Sequence, residues 1–124
     1  MDIYEEWLEF AKEDLEISVI ALGNGYYRSA VYEAQQCAEK SLKGYLMYKN
    51  VPLQKTHNLR ILLQLCINLD ASFSAITFEA LEINGLDVKF RYPGESPFKA
   101  HKVLAEFVVE CSEKIFTFVA SRCV

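Results

Sequence analysis

The run YYRSAVYEAQQCAEKSLKGYLMYKN, from Tyr26 to Asn50, constrains this chain more than any other feature. Tyr27, Ala30, Ala34, Cys37, Ser41, Leu42, Tyr45 and Tyr48 recur at three- and four-residue steps, which places them on one face of a helix. Small residues fill the middle of that face, so neighbouring helices can approach closely. Pro52 ends the run, because the residue before a proline is pushed out of helical geometry.

The same period recurs on either side. Tyr4, Leu8, Ala11, Leu15, Ser18 or Val19, and Leu22 predict a first helix over Ile3–Leu22, with Gly23 as a left-handed cap. Trp7, Phe10, Ile17 and Ile20 widen its apolar surface beyond one face, which points to a second contact such as a partner chain. After the polar connection VPLQKTHN, a third helix is expected over Leu59–Leu69, capped by Thr56 or Asn58. Phe73, Ile76, Ala80 and Ile83 predict a fourth over Ser72–Asn84, and a fifth runs from Pro97 to Arg122. Strand-type alternation does not occur over a useful length, and no repeat, low-complexity tract or linker is read. The expectation is all-α: an antiparallel up-and-down bundle of about five helices, four main and one short, in one domain over residues 1–124.

Charge is uneven. Residues 1–22 carry seven acids and one base, residues 23–60 six bases and two acids, residues 61–88 four acids and no base, and residues 89–124 six bases and four acids. The net charge of −4 disfavours general nucleic-acid binding, which depends on phosphate neutralisation, yet the two basic segments can form a local anion site. No apolar run approaches the roughly 20 residues of a membrane span, so no membrane association is expected. The N-terminus is acidic where a signal peptide would be basic, which suggests a cytoplasmic protein. Cys37, Cys66 and Cys111 fall at apolar helical positions and read as buried thiols, and Cys123 as an exposed, oxidisable one. No Cys/His spacing suits zinc, and no metal or cofactor is expected.

RYPGESPFKAH, Arg91 to His101, is the candidate for chemistry. Pro93–Gly94 favours a type II turn, and Ser96–Pro97 matches a helix start with serine as cap and proline at the first helical position. His101 then falls in the second turn of the last helix. Free N–H groups at that helix start favour anions, and Arg91, Lys89, Lys99 and Lys102 would add to them. An imidazole can take a proton from a ribose 2′-hydroxyl while a guanidinium holds the phosphate, which together cleave RNA and leave a cyclic phosphate. Arg91 and His101 are therefore the catalytic candidates.

Other residues carry weaker signals. His57, beside Lys55 and Arg60, reads as a ligand contact or a local hydrogen bond. Tyr26, Tyr27, Tyr45, Tyr48 and Tyr92 can stack on bases or pack with their hydroxyls in polar surroundings. Glu5, Glu6, Glu9, Glu13 and Glu16 form an acidic face, solvated or docking a basic partner.

GYYRSAVYEAQQCAEKSLKGYLMYKNV (25–51), THNLRILL (56–63) and RYPG (91–94) before a final helix resemble the HEPN domain family, in the expected order and across most of the chain. The resemblance implies a helical bundle that commonly dimerises, and a role near nucleotides or RNA. Small members similar to this one are often encoded beside a minimal nucleotidyltransferase, as a toxin–antitoxin pair or as a substrate-binding subunit. It also draws in Glu39, Lys40 and Lys43 of the second-helix pattern as binding candidates, with His57, Tyr92 and Lys99. RNase members carry Arg, four to six residues, then His. Here nine residues separate Arg91 from His101. The expectations are thus a dimeric nucleotide- or RNA-binding module working with a nucleotidyltransferase, a metal-independent RNase toxin, or a structural dimer without ligand.

Overall fold

The structure is a computed structural model that describes residues 2–90, 92–93 and 100–124. Helix α1 spans Ile3–Gly23, α2 Tyr27–Tyr48, α3 Leu59–Leu69, α4 Thr77–Ile83, α5 Leu86–Lys89 and α6 Lys102–Arg122; a 3-10 helix over Ala71–Ile76 leads into α4. The fold is an all-α bundle, and no strand occurs among the described residues.

The small-residue run is its axis. Ala30, Val31, Ala34, Cys37, Ala38 and Leu42 are fully enclosed, and α1, α3, α5 and α6 all pack around α2. The two long helices α1 and α2 are antiparallel: Lys40 reaches Asp14, and the rings of Tyr4 and Tyr48 meet at 4.9 Å. The two helices come close at Gly44, where a side-chain carbon would stand 3.1 Å from Leu8 Cδ2 and 3.4 Å from Trp7 Cβ. Helix α6 runs in the same direction as α2. Ser112 donates to the Ala34 carbonyl at 2.7 Å, and the Tyr48 hydroxyl donates to the Val124 carbonyl at 2.7 Å, so both ends are in register. Tyr45, Phe73 and Phe118 form an aromatic column inside, with centroids 4.3 and 5.0 Å apart.

Helix ends follow local chemistry, with corrections. The positive-φ residue after α1 is Gly25 (φ 77°), not Gly23, which is the last residue of the helix. Tyr26 N–H then bonds the Ala21 carbonyl at 2.9 Å, the six-to-one bond of a left-handed stop. Asn50 (φ 62°) does the same after α2, where Val51 N–H bonds the Leu46 carbonyl. Asn58 is the cap of α3, accepting from Arg60 N–H at 2.9 Å, while Thr56 accepts from Asn58 N–H. The expected single helix over 72–84 is two pieces. Asp70 accepts from Ser72 N–H and Oγ, which tightens the chain into a 3-10 turn before α4 begins. Gly85 (φ 80°) ends α4, and the short α5 follows, an element that no sequence signal announced.

Helix α6 begins at Lys102 rather than Pro97. His101 is its cap, in extended geometry, and not a second-turn residue. The expected turn over Tyr92–Glu95 and the Ser96–Pro97 helix start fall largely on Gly94–Lys99, outside the described residues.

Candidate functional site

Gln35, Glu39 and Lys43 stand four residues apart on α2, on one line along the helix, and all three are buried. Lys43 Nζ donates to Glu39 Oε2 at 3.0 Å. His57, from the connection before α3, places Nδ1 3.0 Å from the same oxygen. The His57 side chain is 81% exposed, while that of Glu39 is 7% exposed. The result is a buried carboxylate holding one buried cation and one surface imidazole.

This arrangement fixes which ring nitrogen donates to the carboxylate. An oxygen that already accepts from Lys43 acts as acceptor, so Nδ1 of His57 carries the hydrogen it donates. Nε2 of the neutral ring is left with a free lone pair on the solvent side. Lys55 and Arg60, both exposed, flank the position. The loop carrying His57 is itself pinned: Asn84 accepts from Leu59 N–H at 2.9 Å and donates to Asn58 Oδ1 at 3.1 Å.

His101 is held in the opposite sense. Leu104 N–H donates to its Nδ1 at 3.2 Å. That nitrogen is an acceptor, so the neutral ring carries its proton on Nε2 and has no second lone pair to offer. His101 can give a hydrogen bond to an anion from Nε2. It cannot act as a base there without surrendering its cap.

The two histidines also lie far apart. With Ser112 on Ala34 and α6 running along α2, His101 sits eleven residues of α6, about 16 Å, toward the N-terminal end of α2, and Glu39 about 8 Å the other way. No single phosphodiester spans that separation within one chain.

The remaining candidates divide between these ends. Lys40 is committed to Asp14 at 2.6 Å and stands 5.9 Å from the Phe10 ring, away from Glu39. Tyr92 is exposed; Arg91 and Lys99 lie outside the described residues. A cavity of about 280 Å³ opens between α2 and α5, lined by Arg28, Tyr32, Asp87 and Phe90, just before Arg91. Tyr45 is buried in the aromatic column, and Tyr48 packs against it with its hydroxyl spent on Val124. Both are thereby committed to packing rather than to base stacking. Cys123 is half-buried, and burial pushes its thiol up to about 11, so it is not the reactive surface cysteine that its position suggested.

Two residues of this region carry no role in the sequence reading. Gln35 is 1% exposed and its Oε1 has no hydrogen-bond partner among the described residues. Asn84 anchors the His57 loop. The i, i+4, i+8 spacing of Gln35, Glu39 and Lys43 within an otherwise apolar face was the available signal for the first. Nothing local marked the second. Among the described residues no three Cys, His, Asp or Glu side chains converge as a metal site, and no helix is long and apolar enough to cross a membrane.

An α-helical bundle whose central helix carries a buried polar line, with a histidine loop closing on it, defines the class. The family model for the HEPN domain matches residues 4–122, and the chain belongs to that family. Two solved structures agree in fold. One is ST0689, described as an archaeal HEPN homologue, with TM-score 0.76 and 26% identity over 100% of both chains. The other is TT1696 from Thermus thermophilus, with TM-score 0.83 and 26% identity over 98% of each chain. A curated relative, "Putative toxin MJ1304" of Methanocaldococcus jannaschii, is 36% identical over 45 residues, 36% of this chain. That match spans only 30% of the relative's length.

Proposed function

We propose that residues 1–124 act as one HEPN unit that binds a ribonucleotide or RNA at the Glu39–Lys43–His57 cluster, as a dimer and in concert with a minimal nucleotidyltransferase. The observation that carries this reading is the exposed His57 ring aimed by a buried carboxylate. Burying Glu39 and Lys43 costs desolvation that a pair of apolar side chains would avoid, and such groups are often retained for a site rather than for stability. A free imidazole lone pair accepts from a 2′-hydroxyl or a base amino group. Lys55 and Arg60 supply cations for the adjoining phosphate.

The test is binding of a fluorescent ATP analogue and a short single-stranded RNA to wild type, His57→Ala and Lys55→Ala/Arg60→Ala. Loss in His57→Ala with an unchanged helical spectrum is expected. Binding that survives all these changes, or is missing from wild type, overturns the site. The nucleotidyltransferase partnership is tested by co-purification with the product of a neighbouring nucleotidyltransferase gene.

A second reading is a metal-independent RNase toxin, favoured by the name of the curated relative. Arg91 would hold the phosphate. The cap bond of His101 weighs against its use as the base, so here His101 would be an anion contact. RNA degradation in EDTA, compared among wild type, Arg91→Ala and His101→Ala, decides it.

A further inference from the structure

Arg28, Tyr32, Gln35 and Glu39 follow one another on α2 at steps of four, three and four residues, so they form one line along the helix. The His57 site lies at one end of that line. At the other end, Arg28 and Tyr32 share the cavity of about 280 Å³ with Asp87 and Phe90.

Helix α5 links the two ends. It begins beside the His57 loop, where Asn84 holds Leu59 and Asn58, and it leads to Phe90 in the cavity wall. Tyr32 stands seven residues from Glu39, about 10 Å along α2, and Arg28 stands eleven away, about 16 Å. A mononucleotide held at His57 does not reach that far, but an extended strand of roughly three nucleotides does. Lys55 and Arg60 at one end, Lys89 on α5 and Arg28 at the other end are all exposed cations. The acidic α1 packs on another side of α2, where Lys40 meets Asp14.

The cavity walls suit a nucleobase. Tyr32, which is 43% exposed, and Phe90 offer ring faces on which any base can stack. The Arg28 guanidinium supplies a cation for the phosphate beside that base. Asp87 adds selectivity. A carboxylate only accepts hydrogen bonds, so it favours the exocyclic amino group of cytosine, adenine or guanine and repels the carbonyl that uracil carries where cytosine has its amino group.

We propose that this cavity is a base subsite of the RNA site at His57, selective for a base with an exocyclic amino group and roughly two or three nucleotides along the strand. The inference rests on the reading of the His57 cluster as an RNA site, and it makes the ligand an oligonucleotide rather than a mononucleotide.

The probes are the unlabelled single-stranded tetranucleotides CCCC and UUUU, titrated by isothermal calorimetry. Wild type is expected to bind CCCC at least about fivefold more tightly than UUUU, and Asp87→Ala should close that gap. Tyr32→Ala should weaken CCCC by about tenfold, while Tyr32→Phe, which keeps the ring, should not. Arg28→Ala should weaken both oligonucleotides, and so should His57→Ala. Arg28 is exposed, so its variant keeps the test open if Tyr32→Ala fails to fold, which circular dichroism reveals. CCCC binding that depends on His57 but ignores Arg28→Ala and Tyr32→Ala overturns the subsite and leaves the His57 site standing. Equal affinity for CCCC and UUUU in wild type overturns the role of Asp87 and the selectivity with it. Binding that ignores His57→Ala, or no binding of CCCC by wild type, overturns the underlying reading and this inference together.

Discussion

His57 Nδ1 and Lys43 Nζ meet the same oxygen of Glu39, each at 3.0 Å. One donor is buried and the other is on the surface, so the carboxylate links the interior of α2 to the loop before α3. The consequences for stability and for ligand contact can be separated, because removing each partner leaves a different group stranded.

Glu39→Ala strands Lys43, which is enclosed and has no other partner among the described residues. Breaking a buried pair on one side costs roughly 3–5 kcal/mol. His57→Ala strands no buried cation, and its cost is expected to be below about 1 kcal/mol, as for exposed pairs. Glu39→Leu/Lys43→Leu removes both charges, and is expected to recover most of what Glu39→Ala loses. Urea unfolding of the three variants checks the order. A double variant as unstable as Glu39→Ala would show that the pair is not the source of the loss.

His101 caps α6, so His101→Ala should cost about 1 kcal/mol through loss of the bond from Leu104 N–H. Asn is a better cap by type, and His101→Asn should restore that stability. Any RNA-binding or cleavage signal of His101 must then be read in the Asn variant. A signal lost in Ala and regained in Asn belongs to the cap; one lost in both belongs to the imidazole Nε2. Thermal unfolding alongside the RNA assay distinguishes the two.

These residues also show what the sequence could and could not disclose. Helix periods set by Ala30, Ala34, Ala38 and Leu42, or by Leu8 and Leu15, are local and read directly as core faces. Asn58 before an apolar run is a local cap signal, and it holds. The pairing of Glu39 with His57 joins residues 18 apart, and that of Ser112 with Ala34 joins residues 78 apart. No period or spacing encodes such pairings; only the packing of α3 and α6 on α2 creates them. The same is true of Lys40. Its neighbours in sequence suggested a patch with Glu39 and Lys43, but its helical angle turns it toward Asp14 on α1. The split at Asp70–Ile76 was missed for a smaller reason: Asp70 bonds its own local backbone and overrides the apolar period.

Gly44 marks a close approach of α1 and α2. Ala there sets a gain in helix propensity of about 1 kcal/mol against contacts at 3.1 and 3.4 Å, and is not decisive. Gly44→Leu is decisive, since its side chain has to displace both Leu8 and Trp7. Overpacking of this kind typically costs about 1–3 kcal/mol. Because Trp7 is one of the displaced groups, the native emission maximum should also move. Unchanged stability and emission would mean that the two helices separate without cost.

The four thiols give a pH dependence whose sign is fixed. Burial pushes Cys66 up to about 12, and Cys37, Cys111 and Cys123 each up to about 11, from 9.0. Burial is the first cause in each case, and the bonds of Cys37 with Ser112 and Ser41 offset it only in part. Above about pH 9 the unfolded chain releases thiol protons that the native chain retains, so the unfolded state binds fewer protons and stability falls as pH rises. The contribution is whole below the unfolded value and is lost progressively as pH climbs through about 11 to 12. Tyr45, raised by burial, adds the same sign at its own higher range. The urea midpoint should therefore drop steadily between about pH 8 and pH 10.5, and Cys66→Ala should flatten part of that slope whatever it costs at neutral pH. At neutral pH a thiol reagent should label the native protein slowly at all four positions and the urea-unfolded chain at once. A midpoint that stays level or rises across that range, or rapid native labelling of Cys37 or Cys66, would contradict the burial that sets these values.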